Sequence, residues 1–191
     1  SSLQLHSYRR KSYQAYIDEK DAKEMVAYLA NIDPLTKSLT RRQFLSIAES
    51  EFRRFQRYHR PLSILILDAD RFKEINDTYG HHAGDLALRS LSLVAMEQKR
   101  AQDTFGRLGG EEFGLLMPET TLDQAMVVAE RIRQVWEASP VNLDGELIRS
   151  TMSIGVAEAV STDQSLEDLQ RRADRMLYKA KDAGRNRVIS E

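Results

Sequence analysis

The segment Leu62-Ser63-Ile64-Leu65-Ile66-Leu67, running directly into Asp68, constrains this chain more than any other. Successive side chains of a strand point to opposite faces, and here both faces are apolar. Such a strand is covered on both sides and sits centrally in a sheet. The elements around it supply the covering layers. Thr40 caps a helix that presents Phe44, Ile47, Ala48, Phe52 and Phe55 on one side, and Pro61 ends it. After the strand come a polar loop and a helix through Leu88, Leu91 and Val94. Strands from Thr104 to Leu108 and from Glu112 to Met117 flank Gly109-Gly110, a hairpin signal because glycine supplies the positive φ of tight turns. Leu122, Ala125, Ala129, Ile132 and Trp136 mark another helix, and Asp144-Gly145 a second hairpin that leads into a strand around Ser150 to Ala157. A last helix carries Leu166, Leu169, Ala173, Met176 and Ala180, stops at Gly184, and leaves Val188-Ile189 for an edge strand. Strands and helices alternate while hairpins interrupt them, so the expected fold is α/β (α+β) with a mixed central sheet flanked by helices.

The chain has 191 residues, enough for one domain and a short appendage. Residues 1 to 32 hold no Gly or Pro and carry a weak heptad of Ala15, Ala22, Met25, Leu29 and Ile32, spoiled at Asp18. Asp33-Pro34 breaks this helix. Two readings stand side by side, a helix packed on its own domain and a dimeric signalling stalk. The expected division is a helix or stalk over 1–32 and a catalytic-type domain over 33–191. A chain that opens on Ser1 without Met is expected to derive from a longer protein.

Lys+Arg total 28 against 29 Asp+Glu, a net charge of -1, so there is no global cation surplus for a nucleic acid polymer. A local basic pocket for a few phosphates is compatible with that balance. The chain has no cysteine, which removes disulfides, thiolate metal sites and cysteine nucleophiles together. No apolar run reaches membrane-span length, and no signal-peptide pattern is present.

The chemistry gathers in two places. Asp68 stands at the C-terminal end of the central strand, a common position for a functional group, with Asp70 two residues on. A D-x-D does not by itself make both residues ligands of one ion; a polar strand exit with solvated carboxylates is the plainer reading. The glycine hairpin is followed at once by Glu111 and Glu112. Two glycines at a tip admit close approach of a bulky anion. Adjacent acids repel and are tolerated beside a cation, and ligands offering only oxygen favour Mg²⁺ or a similar hard ion. If the two strands are sheet neighbours, Asp68 and the Glu111/Glu112 pair meet around one or two ions, as in phosphoryl or nucleotidyl transfer.

Five blocks, in order over residues 33 to 189, resemble one family. They are Asp33-Pro34-Leu35-Thr36 with Arg41-Arg42, the run from Asp68 through Phe72-Lys73-Glu74-Ile75-Asn76-Asp77 to His81 and Asp85, Gly109-Gly110-Glu111-Glu112-Phe113, Ser153-Ile154-Gly155-Val156-Ala157, and Ala180-Lys181-Asp182-Ala183-Gly184-Arg185-Asn186. The third block is a GGEEF form of the signature of the GGDEF diguanylate cyclases. The resemblance implies a βαββαβ core akin to nucleotidyl cyclases and polymerase palms. It also implies condensation of two GTP into cyclic di-GMP with release of two pyrophosphates.

Carried over by position, Asp68, the Ala69 carbonyl, Glu111 and Glu112 would hold Mg²⁺, with Mn²⁺ as the alternative. Glu111 would be the base for the ribose 3′-hydroxyl, with Glu112 beside it as the second catalytic carboxylate. Asn76 and Asp85 would read guanine, since Asp accepts from the N1 and N2 donors and Asn donates to its acceptors. Phe72, Lys73, His81, Gly109, Gly110, Lys181 and Arg185 would complete the substrate site, with Lys181 and Arg185 on one helix face four residues apart. Arg100 and Asp103, five residues ahead of Gly109, match the family's RxxD product site, and Arg131 its partner. For Arg131 a solvated helix face is the competing reading. The family opening has Gly and Asn where this chain has Lys37 and Thr40, which bears on the turn there.

The implied partners are GTP, cyclic di-GMP, a second copy of the chain and an upstream sensory domain. The implied setting is a cytoplasmic domain, with a membrane-anchored parent suggested by Arg9-Arg10-Lys11. The competing functions are a catalytically silent receptor for cyclic di-GMP or GTP, and a dimerising signalling module.

Overall fold

A computed structural model describes residues 2–191; Ser1, the first residue of the expected stalk, lies outside the described residues. Helix α1 (Ser2–Asn31) is followed by α2 (Arg41–Tyr58), the central strand β1 (Leu62–Ala69), α3 (Phe72–Tyr79) and α4 (His81–Gln98). The hairpin β2 (Thr104–Gly109) and β3 (Glu112–Pro118) leads to α5 (Leu122–Glu137). A small ribbon of β4 (Val141–Leu143) and β5 (Glu146–Ile148) precedes β6 (Met152–Glu158), α6 (Leu166–Asp182) and β7 (Val188–Ser190).

The main sheet runs β2-β3-β1-β6-β7. β1 is antiparallel to both β3 and β6, and β7 closes the edge parallel to β6, so the sheet is mixed as expected. All eight residues of β1 are buried. Leu65, Leu67 and Ala69 face one core with Leu88 and Leu91 of α4 and Ala129, Ile132 and Trp136 of α5. Ile64 and Ile66 face the other, with Phe44 and Phe52 of α2 and Leu169 and Ala173 of α6. Asp68 shares the parity of Ile64 and Ile66, so it emerges on the α2/α6 side. On that side α6 rests directly on β6: a Cβ on Gly155 would lie 2.1 Å from the Ala173 carbonyl oxygen.

Three local expectations are corrected. The polar loop after β1 is a two-turn helix, α3, whose apolar Ile75 is buried against Ala83 and Ala87. Its lone buried apolar residue is too little periodicity to show in the sequence. Gly109 and Gly110 do not have positive φ, whereas the second hairpin does turn through Asp144 and Gly145 at φ 50 and 94. Finally, α6 ends at Asp182, Gly184 takes φ 113, and Arg185 donates its N–H to the Ala180 carbonyl oxygen at 2.9 Å. This closing turn puts Arg185 at φ 65, off the helix, so it does not share a helical face with Lys181.

α1 stands apart, with Met25 58% and Leu29 67% exposed. No helix among the described residues is long and apolar enough to cross a membrane. The segment after α1 is sewn to the domain by isolated bridges from Leu39 to Ile32 and to Gly106. Here Lys37 adopts φ 59, the left-handed conformation glycine takes freely, and the Thr40 hydroxyl accepts the Gln43 N–H to cap α2. Lys37 and Thr40 thus perform the turn and the cap without the family's Gly and Asn.

Candidate active site

The sheet register places Asp68 directly opposite Glu112, so both carboxylates leave the sheet on one face. Glu111 sits in the turn just before, its carbonyl accepting the Ala69 N–H at 3.3 Å. The three acids therefore lie near one another at one end of the sheet. Asp68 is 7% exposed, and burial pushes its carboxyl above the usual range, with Glu111 and Asp70 adding to the rise. Lys181 opposes that rise: its Nζ lies 2.8 Å from Asp68 Oδ2. Burial also raises Glu112, and Asp174 and Asp68 raise it further, while Lys181 and Arg41 act against them. Arg41 is fixed nearby, donating from Nη1 to the Leu108 carbonyl at 3.2 Å.

Asp70 does other work. Its Oδ1 accepts from the Ser153 hydroxyl at 2.6 Å, and its Oδ2 from the Thr151 hydroxyl at 2.7 Å and the Asn186 N–H at 3.0 Å. It ties the exit of β1 to β6 and to the turn that carries Arg185. This second Asp of the D-x-D is a structural anchor, and only its spacing two residues from Asp68 hinted at it.

The glycine tip is open, since a Cβ on Gly109 or Gly110 would meet nothing within 4 Å. What these glycines provide is an unobstructed backbone surface beside the acids, not a special φ. Next to them Arg107 donates from Nε and Nη2 to the Gly110 carbonyl at 2.9 and 2.8 Å, and the ladder is offset between Arg107 and Gly109. Sequence reasoning missed Arg107; its place two residues before the glycines was the available signal.

The residues expected to read guanine lie on adjoining helices. A Cβ on Gly84 in the first turn of α4 would fall 2.0 Å from Asn76 Oδ1 and 3.1 Å from Phe72 Cζ, so both side chains of α3 lean on α4 next to Asp85. Lys73, His81 and Arg185 are exposed. The N-terminal turn of α3 follows Arg71, which takes φ 53, and presents backbone N–H groups suited to phosphate oxygens.

Arg100 and Asp103 form a tight turn at the opposite end of β2, about 17 Å of strand away from the glycines. The Arg100 N–H donates to Asp103 Oδ2 at 2.7 Å, whereas Asp103 Oδ1 is buried without a partner. Burial pushes the Asp103 carboxyl up. Arg131 reaches the same region and donates to the Gln98 carbonyl at 2.9 Å.

The donor set at the sheet edge is all oxygen, which fits a hard divalent cation. Among the described residues no three acidic or histidine side chains converge tightly enough to hold an ion, so the acids line an open edge and not a closed cage.

The model of the family described as "Diguanylate cyclase, GGDEF domain" matches residues 30–187. Diguanylate cyclase DgcM of Escherichia coli is 41% identical over 173 residues, covering 91% of this chain and 41% of that protein. The chain therefore spans about two-fifths of the length of this relative. The crystal structure of the coiled coil and GGDEF domain of DgcB from Caulobacter crescentus, in complex with c-di-GMP, superposes with a TM-score of 0.92 at 26% identity. It covers 98% of this chain and 99% of that one, α1 included. The active GGEEF domain of a diguanylate cyclase from Vibrio cholerae gives a TM-score of 0.75 at 35% identity, covering 79% of this chain and 96% of that one.

Proposed function

The chain belongs to the GGDEF diguanylate cyclase family, and from that premise we propose that it condenses two GTP into cyclic di-GMP. The observation that carries this reading is the pairing of Asp68 with Glu112 across β1 and β3, with Glu111 beside them and Lys181 facing them.

Asp68, Glu111, Glu112 and the Ala69 carbonyl would hold Mg²⁺ or Mn²⁺. When bound, the ion neutralises charge that builds on the α-phosphate and the leaving pyrophosphate. The residues supply position. Asn76 and Asp85 hold the guanine edge at the α3/α4 cleft. The first turn of α3, with Lys73, Lys181 and Arg185, takes the triphosphate. The open Gly109-Gly110 backbone lets the nucleotide lie close to the acids. Glu111 accepts the proton of the ribose 3′-hydroxyl as its oxygen attacks the α-phosphorus of a second GTP. One P–O bond forms, the bond to pyrophosphate breaks, and the same event with roles exchanged closes the ring.

Each domain offers one nucleotide site, so two copies face each other about a two-fold axis. α1 serves as the stalk that pairs them, consistent with its exposed Met25 and Leu29 and with the coiled coil of the DgcB structure. Arg100, Asp103 and Arg131 form a product site, in which the Arg100 guanidinium is a donor suited to guanine and phosphate.

The test is a GTP turnover assay against protein concentration with Mg²⁺. Product formation should rise faster than linearly and stop in Glu111→Ala and Asp68→Ala. Cyclic di-GMP binding without turnover, lost in Arg100→Ala, would replace this reading with a receptor.

A further inference from the structure

Lys181 sits in the last turn of α6 and reaches across to the end of β1, where its Nζ lies 2.8 Å from Asp68 Oδ2. A lysine serving only a triphosphate has no need of this contact. Asp68 is buried, and the acids around it, Glu111, Glu112 and Asp70, are of its own sign. A buried carboxylate in that company requires a cation. The other cations are engaged or placed elsewhere: Arg41 holds the Leu108 carbonyl, and Arg185 has left the helix in a left-handed turn. Lysine suits the task because its ammonium is a compact charge on a flexible stem that can leave.

We propose that Lys181 is a surrogate cation for the carboxylate edge, neutralising Asp68 until a divalent ion takes its place. Its release then frees the ammonium for the nucleotide's phosphates. This inference rests on the reading of Asp68 as a metal ligand. A divalent ion and an ammonium repel each other on one carboxylate, so an ion arriving alone must displace Lys181. An ion arriving with a nucleotide finds Lys181 drawn to the phosphates. Each ligand thereby assists the other, and the assistance is equal in both directions.

Mn²⁺ binding to the full chain without nucleotide, followed by electron paramagnetic resonance, tests this. Lys181→Met should bind Mn²⁺ about tenfold tighter than wild type, the size expected when one close competing charge is removed. Lys181→Arg, which keeps the charge, and Arg185→Met, which removes a cation that does not touch Asp68, should stay near wild type. Lys181→Gln, still able to hydrogen-bond Asp68, repeats the test should the Met variant fold poorly. Lys181→Met binding no tighter, or Arg185→Met tightening as much, overturns the proposal while the metal reading stands. Mn²⁺ binding that survives Asp68→Asn unchanged removes the metal reading and this inference together.

Discussion

Arg107 links Asp33 to the glycine turn: Nη1 lies 3.4 Å from each Asp33 carboxylate oxygen, while Nε and Nη2 hold the Gly110 carbonyl. Asp33 is the second residue after α1, and Gly110 precedes Glu111 directly. One guanidinium therefore connects the end of the helix to the loop that carries the acids. Arg107→Met keeps the stem and removes all these bonds. We expect turnover to fall about tenfold or more, because a misplacement near 1 Å is enough for that. The dimer fraction, read by light scattering, should not change. A variant with full turnover would show that the glycine turn holds its shape without Arg107.

Asp33 gives this junction a pH dependence. Burial alone would raise its carboxyl, but the hydroxyl and N–H of Thr36, together with Arg107, outweigh burial and hold it below the ordinary value of 3.8. A carboxyl lowered in the folded state stabilises above its unfolded pKa, and that contribution is lost as pH falls through the folded value. Melting temperature should therefore drop more steeply below about pH 4 in wild type than in Asp33→Asn. At neutral pH the variant should be about 1 kcal/mol less stable. Parallel melting curves down to pH 3 would contradict the assignment.

Asp70 carries a structural role that a loss-of-function screen would mistake for catalysis. Asp70→Ala strands the Thr151 and Ser153 hydroxyls and the Asn186 N–H. The expected loss is about 3 kcal/mol, since buried donors lose their only charged acceptor. Urea unfolding should show it, and Mn²⁺ binding should persist wherever the variant is folded. Unchanged stability would argue against the anchor.

The sheet core was legible before the structure because β1 is apolar on both faces, and caps such as Thr40 mark helix starts by local chemistry. The acids at the sheet edge were legible because consecutive Glu111 and Glu112 are unusual in a turn beside a buried strand. α3 was not legible. It buries only Ile75, against α4 and against the β4-β5 ribbon, and that ribbon lies far along the chain. The same holds for Asp33 with Arg107, 74 residues apart, and for Asp70 with Asn186, 116 apart. Single-chain patterns record periodicity and caps, whereas pairings of this separation are made only by the finished sheet. The φ of Gly109 and Gly110 failed for a related reason. The offset beside Arg107 shapes that turn without a positive φ, and a Cβ at either glycine would meet nothing of the protein, so neither backbone conformation nor packing calls for glycine there.

Gly84 offers a test of the nucleobase cleft that spares the fold. In a helix Ala is favoured over Gly by about 1 kcal/mol. A Cβ here would nonetheless fall 2.0 Å from Asn76 Oδ1, at the end of a side chain that can swing away. Gly84→Ala should leave the melting temperature within a few degrees of wild type and raise the KM for GTP about tenfold, the value of one displaced hydrogen bond to a base. An unchanged KM would remove Asn76 from guanine recognition.

Glu112 should show stability and function pulling apart. Burial raises its carboxyl first, and Asp174 and the facing Asp68 raise it further, so its charge is held against the local field. Like charges directly opposite across two strands cost up to about 1 kcal/mol. Glu112→Gln keeps the shape and removes the charge. In EDTA the variant should melt above wild type, by up to about 4 °C for a chain of this size. Turnover should fall at least about a hundredfold, since the substitution removes a carboxylate from the proposed metal edge. Mn²⁺ should then raise the melting temperature of wild type more than that of the variant, because only wild type has the repulsion for a cation to relieve. A variant less stable than wild type in EDTA would mean that Glu112 is already neutralised by Arg41 and Lys181, and that the edge carries less negative charge than its three acids imply.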